Sequence, residues 1–129
     1  MREIKFRALN RATGQWHYGV YGAKDFEVEN VWSMPTFWLM FERGDLDPET
    51  LGQYTGLKDK NGVEIYEGDV VRPHGYPDHV EPMSVEYVEG VWMLMAENDD
   101  DFITNYQAHE LEVIGNIYEN PELLEEAKT

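Results

Sequence analysis

The chain has 129 residues, enough for one compact unit or a barrel-sized domain with an appendage, and its 42% hydrophobic and 13% aromatic content is globular, not disordered. It contains no cysteine, which excludes disulfides, Cys-ligated zinc, iron–sulfur clusters and thiol catalysis. Acids number 26 against 10 Lys and Arg, a net charge of −16, and such a field repels nucleic-acid phosphates.

The first residues, Met1 to Arg7, hold no apolar stretch of signal-peptide length, and no apolar run approaches a membrane span, so a cytoplasmic protein is expected. Apolar residues recur mainly at every second position, the strand period. Ile4, Phe6 and Ala8 alternate with Lys5, Arg7 and Leu9. Asn10 to Gly14 reads as a turn, and Trp16, Tyr18 and Val20 alternate beyond it, which predicts a hairpin. Asp25 to Trp32 is a further polar–apolar stretch. The apolar run Thr36 to Phe41 predicts a strand buried on both faces, or an aromatic surface that pairs with another chain. Glu42 to Thr50, with Gly, Pro and four acids in nine positions, predicts a linker between a region 1–50 and a region 51–129.

Past that point the pattern tightens. Leu51 to Tyr54 reads as a short strand, Thr55 to Gly62 as a long turn, and Glu64 to Arg72 as strand segments around a Gly68-Asp69 turn. Val80 to Glu89 and Val91 to Glu97 predict two strands joined at Gly90. Phe102 to Glu110 fits strand and helix spacing equally. Leu111 to Ile117 predicts a strand with Gly115 as a bulge or close-approach point. Asn120-Pro121-Glu122 predicts a short helix, with Asn as cap, Pro in the first turn and acids at the positive end of the dipole. The fold class that follows is mostly β: coiled antiparallel sheets, a small SH3-like partly open barrel in the C-terminal part and a short C-terminal helix.

The charges are segregated. Residues 1–24 carry Arg2, Lys5, Arg7, Arg11 and Lys24 against Glu3, a balance of +4, whereas residues 73–127 carry 14 acids and no Lys or Arg. A solubilising face accounts for this. So does an acidic surface that meets a basic partner, with the basic strip steering one copy onto another.

Chemical signatures are sparse. Asp59, Asn61 and Gly62 invite a calcium-loop reading, but the Gly falls at the fourth position and no Glu follows at the required offset. Thr55, Gly56, Asp59, Asn61, Gly62, Gly68 and Asp69 are read as a structural turn motif, with glycines at positive φ and Asp side chains accepting backbone N–H bonds. His74 and His79, with Asp78 and Glu81 nearby, form a metal candidate of no standard spacing. Asp99, Asp100 and Asp101 form another, better read as a solvated turn. Ser33 and Ser84 lie outside any nucleophile elbow. No catalytic, cofactor or metal residue is assigned and no cofactor is expected. Trp32, Phe37, Trp38 and Phe41 cluster within ten residues, as core or as a candidate interface.

The central run Gln53-Tyr54-Thr55-Gly56-Leu57-Lys58-Asp59-Lys60-Asn61-Gly62-Val63-Glu64-Ile65-Tyr66-Glu67-Gly68-Asp69-Val70-Val71 resembles the signature of the YopX family of phage and prophage proteins. The opening Ile4 to Ala8 and the closing Glu112 to Leu124 resemble that family's first strand and last strand and helix. The resemblance implies a mostly-β, oligomeric protein encoded by a phage or prophage and acting in the bacterial host cell, and it supplies no activity. The expectation is a non-enzymatic accessory protein that self-associates and binds another protein, host or phage, of basic character. The alternatives are a nucleic-acid-associated module, an acidic DNA mimic, or an unrecognised hydrolase or metal-dependent enzyme.

Overall fold

The computed structural model describes residues 3–74, 81–96, 100–103 and 106–126. The chain divides into two compact units, Met1–Tyr54 and Thr55–Thr129. Among the described residues the fold is mostly β, with two sheets, few helices, a short C-terminal helix and no closed barrel. No helix among the described residues is long and apolar enough to cross a membrane.

In the first unit, β1 (Lys5–Asn10) and β2 (Gln15–Val20) form the hairpin that the alternation predicts, in the register Lys5↔Val20 through Asn10↔Gln15. The chain turns at Gly14, whose φ of 74° only glycine adopts cheaply. A two-residue strand, β3 (Val31–Trp32), pairs parallel with β2, and β4 (Gly52–Lys58) pairs antiparallel with β1 through Gly52 and Gln53. The stretch Asp25 to Asn30 is a loop, with Phe26 and Asn30 at φ 69° and 62°.

The run expected as a strand is a helix. α1 spans Met34–Glu42, with Ser33 at its N-cap and Pro35 in its first turn, where a missing N–H costs nothing. Phe37, Met40 and Phe41 share one helical face and pack with Ala8, Leu46 and Leu51 in the core of this unit. Residues 42–50 are not a linker. Leu46 is buried in that core, and Asp47 caps a 3-10 turn at Pro48–Thr50. Buried Thr50 accepts a hydrogen bond from the Leu9 N–H at 2.8 Å and donates to the Asp47 carbonyl at 2.6 Å.

The second unit contains the end of β4, β5 (Glu64–Tyr66), and an antiparallel sheet of β6 (Asp69–Pro73), β7 (Met83–Val88), β8 (Val91–Met95), β9 (Asp100–Phe102) and β10 (Leu111–Asn116), ordered β10-β6-β7-β8-β9. Ile65, Val71, Met83, Val85, Leu94, Ile103 and Leu111 form its core. β7 and β8 meet at Glu89-Gly90, both at positive φ, a two-residue hairpin turn. The β10 register shifts between Val113 and Gly115. A Cβ on Gly115 would lie 2.6 Å from the Asn120 side chain, so Gly115 is both bulge and close-approach point. α2 (Glu122–Glu126) follows.

Candidate functional site

The turn-motif residues act on the backbone. Asp59 is buried. Its Oδ1 accepts N–H bonds from Asn61 at 2.8 Å and Val63 at 2.9 Å, and its Oδ2 accepts from Val113 of β10 at 2.9 Å. The Lys60 N–H donates to the Leu111 carbonyl at 2.9 Å, so the loop is stitched to β10 at two points. Gly62 closes it at φ 80°. Thr55 Oγ1 donates to the Ile65 carbonyl at 2.7 Å and accepts from the Leu57 N–H, beside Gly56 at φ 88°. Asp69, also buried, accepts from the Tyr66 N–H at 2.7 Å. Gly68 turns at φ 90°, and a Cβ there would lie 2.8 Å from the Tyr118 ring. Three amide protons already occupy the Asp59 carboxylate, which holds the turn and its link to β10 in place.

The other sequence candidates do not converge. His74 Nε2 lies 3.2 Å from Glu112 Oε1, and that hydrogen bond holds the Glu112 carboxyl below the usual carboxylate range, helped by Lys60 and Asn61. His79, Asp78 and Asp99 lie outside the described residues. No group of three His, Asp or Glu that could hold a metal occurs among the described residues. The Ser33 hydroxyl donates to Thr36 and the Ser84 hydroxyl to Glu86, and neither pairs with an imidazole among the described residues.

Three of the four clustered aromatics build the first unit's interior. Phe37 is buried flat against Gly19, where an added Cβ would come within 2.5 Å of its ring. Phe41 packs edge-on to Phe37 at 5.3 Å. Trp32 Nε1 donates to His17 Nδ1 at 3.0 Å, which fixes His17 as the neutral tautomer with its proton on Nε2. Burial lowers the His17 pKa, against the opposing charge of Asp45. Only Trp38 keeps 41% of its surface exposed.

Sequence reading missed Asp25. It accepts from the Ser33 N–H at 2.8 Å and the Thr36 hydroxyl at 2.6 Å, and so ties the N-cap residue and first turn of α1 to a loop eight residues upstream. These bonds, that from Thr36 foremost, hold its carboxyl below the usual range.

The basic strip is engaged within the first unit. Lys5 pairs with Glu3 and lies over the Tyr54 ring, Arg7 is buried over the Trp16 ring at 4.4 Å, and Arg11 pairs with Asp47 at 2.8 Å. The Arg11–Asp47 pair closes the polar wall of an open cavity of about 490 Å³ that Phe41, Leu46 and Pro48 also line.

The second unit offers a different surface. The β7–β8 register opposes Glu86 to Met93 and Val88 to Val91, while Val85 opposes Leu94. Alternation therefore sends Val85 and Leu94 into the core and puts Glu86, Val88, Val91, Met93 and Met95 on the outer face. Val88 and Val91 are each 40% exposed. Together with Glu89, Asp100 and the two methionines they line a shallow cavity of about 300 Å³. The signal was the alternation Val91, Met93, Met95, which identifies a strand without saying that its second face is exposed at the Val88 and Val91 end and half-buried at the methionines.

Comparison with known proteins bears on the whole chain. The family model described as YopX protein matches residues 5–125. The crystal structure of protein EF1440 from Enterococcus faecalis is similar, with a TM-score of 0.56 and 28% identity over 94% of this chain and 97% of that one. No curated protein matches.

Proposed function

The chain belongs to the YopX family, and from that premise we propose that it is a non-catalytic protein-binding module whose second unit meets a basic partner. The observation that carries this reading is a charge run within the second unit: residues 73–127 hold 14 acids and no Lys or Arg. Among them Glu81, Glu89, Asp100 and Glu122 are exposed. Surplus carboxylates on a folded surface steer a cationic partner to it and repel phosphates. The sequence resemblance supports a phage or prophage setting, with the partner a host or phage protein. Self-association finds less support in charge, because Lys5, Arg7 and Arg11 are engaged inside the first unit.

The test is titration of labelled probes, followed by fluorescence anisotropy. A peptide with a Val-Leu-Val centre flanked by Lys pairs should bind, and binding should weaken with salt. The same peptide with Glu for Lys should not bind. Duplex DNA should bind no better than on the order of 10⁻⁴ M at physiological salt. Tight DNA binding, or indifference to peptide charge, would overturn the reading.

A further inference from the structure

We propose that the outer face of the β7–β8 hairpin is the docking site, and that its occupant is a short segment of another protein in which apolar residues are flanked by Lys or Arg. This rests on the protein-binding reading above and adds the place and the recognition chemistry.

The argument starts from the register. A strand exposed on one face ordinarily carries polar residues there. Here the outer positions of β8 are Val91, Met93 and Met95, and the opposing positions of β7 include Val88. The inner face is already filled by Val85 and Leu94, both fully buried, so the outer apolar row is surplus to the core. It is also concave, forming the cavity of about 300 Å³.

The rim decides the occupant. Glu89 and Asp100 lie in the cavity wall and Glu86 sits opposite Met93 on the same face. A purely apolar occupant would leave these carboxylates partly desolvated with no cation beside them, which is costly. A segment with a basic flank pairs them at the rim while its apolar residues fill the centre, the usual layout of an interface. A second copy of the chain is a poorer match, since its own residues 73–127 would bring more carboxylates. The two methionines suit a site that accepts segments of varied shape, because an unbranched thioether repacks easily.

The experiment titrates the full chain with the Lys-flanked Val-Leu-Val peptide and follows backbone amides by NMR. The expected result is shifts concentrated at residues 84–95. A variant carrying Val91→Thr, Met93→Thr and Met95→Thr keeps strand-forming residues and should weaken binding by about tenfold or more. Val63→Thr, at an exposed apolar residue of the Asp59 loop, should leave binding unchanged. Mapping on the unaltered chain keeps the proposal testable if the triple variant folds poorly. Equal binding of a peptide with Ser in place of Val-Leu-Val would overturn this site while leaving the charge reading intact. So would unchanged binding by the folded triple variant. Concentration-dependent shifts at residues 84–95 without peptide would assign the face to a second copy instead. Failure of every Lys-flanked peptide to bind would overturn both readings.

Discussion

The first unit sets a nine-residue helix on a sheet, and the carboxylate that holds the helix start, Asp25, is only half-buried and reaches eight residues along the chain. The second unit relies on Asp59, which is buried and whose farthest bond, to the Val113 N–H, spans 54 residues. Both side chains accept bonds from backbone N–H groups. They differ in what replaces them. Water reaches the one amide and the hydroxyl that half-buried Asp25 leaves more readily than the three amides around Asp59, and a buried donor without a partner carries its full desolvation cost. The interaction type is shared, and burial sets its weight.

Asp59→Ala is the sharpest way to break this comparison. It orphans three N–H groups and should cost about 3–5 kcal/mol in chemical denaturation. Asp25→Ala should cost clearly less. Equal losses would show that burial is not the deciding variable.

Two glycines sharpen the contrast at a smaller scale. Gly19→Ala drives a methyl into the Phe37 ring, an overpacking that should cost about 1–3 kcal/mol and be partly relieved by Phe37→Leu. Gly62→Ala meets nothing within 4 Å. Its cost, about 1–2 kcal/mol, comes from φ 80° alone, so no neighbouring substitution should rescue it. Thermal melts of the single and double variants separate the two causes.

The smallest effect is the pH response of the first unit. The His17 pKa is lowered by burial, so the folded state takes up its proton later than the unfolded chain does. The stability involved is fully present above the unfolded value of 6.5 and is lost as pH falls through the lower folded value. Protonation also removes the acceptor for Trp32 Nε1. His17→Gln keeps an acceptor that does not titrate. Between about pH 7.5 and about pH 5.5 the melting temperature of the unaltered chain should fall more than that of the variant. Parallel curves would remove His17 from the account.

The sequence showed most of what is local. Alternation marked the β1–β2 hairpin, and Gly90 and Gly115 marked the turn and the bulge. α1 was misread because Phe37, Trp38 and Phe41 favour strands as single residues, while its true signal was the spacing of Phe37, Met40 and Phe41 after Ser33 and Pro35. The carboxylate that ties down its start could not be seen nearby, since Asp25 reaches it from another loop. Residues 42–50 have a linker's composition, yet Leu46 and Thr50 are buried by contacts with the β1 region. Asp59 was legible as a turn residue, but its bond to Val113 was not. The outer β7–β8 face was hidden for a related reason: alternation assigns two faces, and only packing decides which one is covered.

The bond between Asp59 and Val113 also orders events during synthesis. All the contacts internal to the first unit are within the chain once Tyr54 has emerged. The Asp59 loop waits for β10, so until then its buried carboxylate has only its two local donors. A ribosome paused between these points carries a first unit whose internal contacts are all available and a second that still lacks its closing strand, with Val71 and Met83 awaiting Leu111. Translation speed through that interval therefore sets how long an unfinished β surface stands open to aggregation.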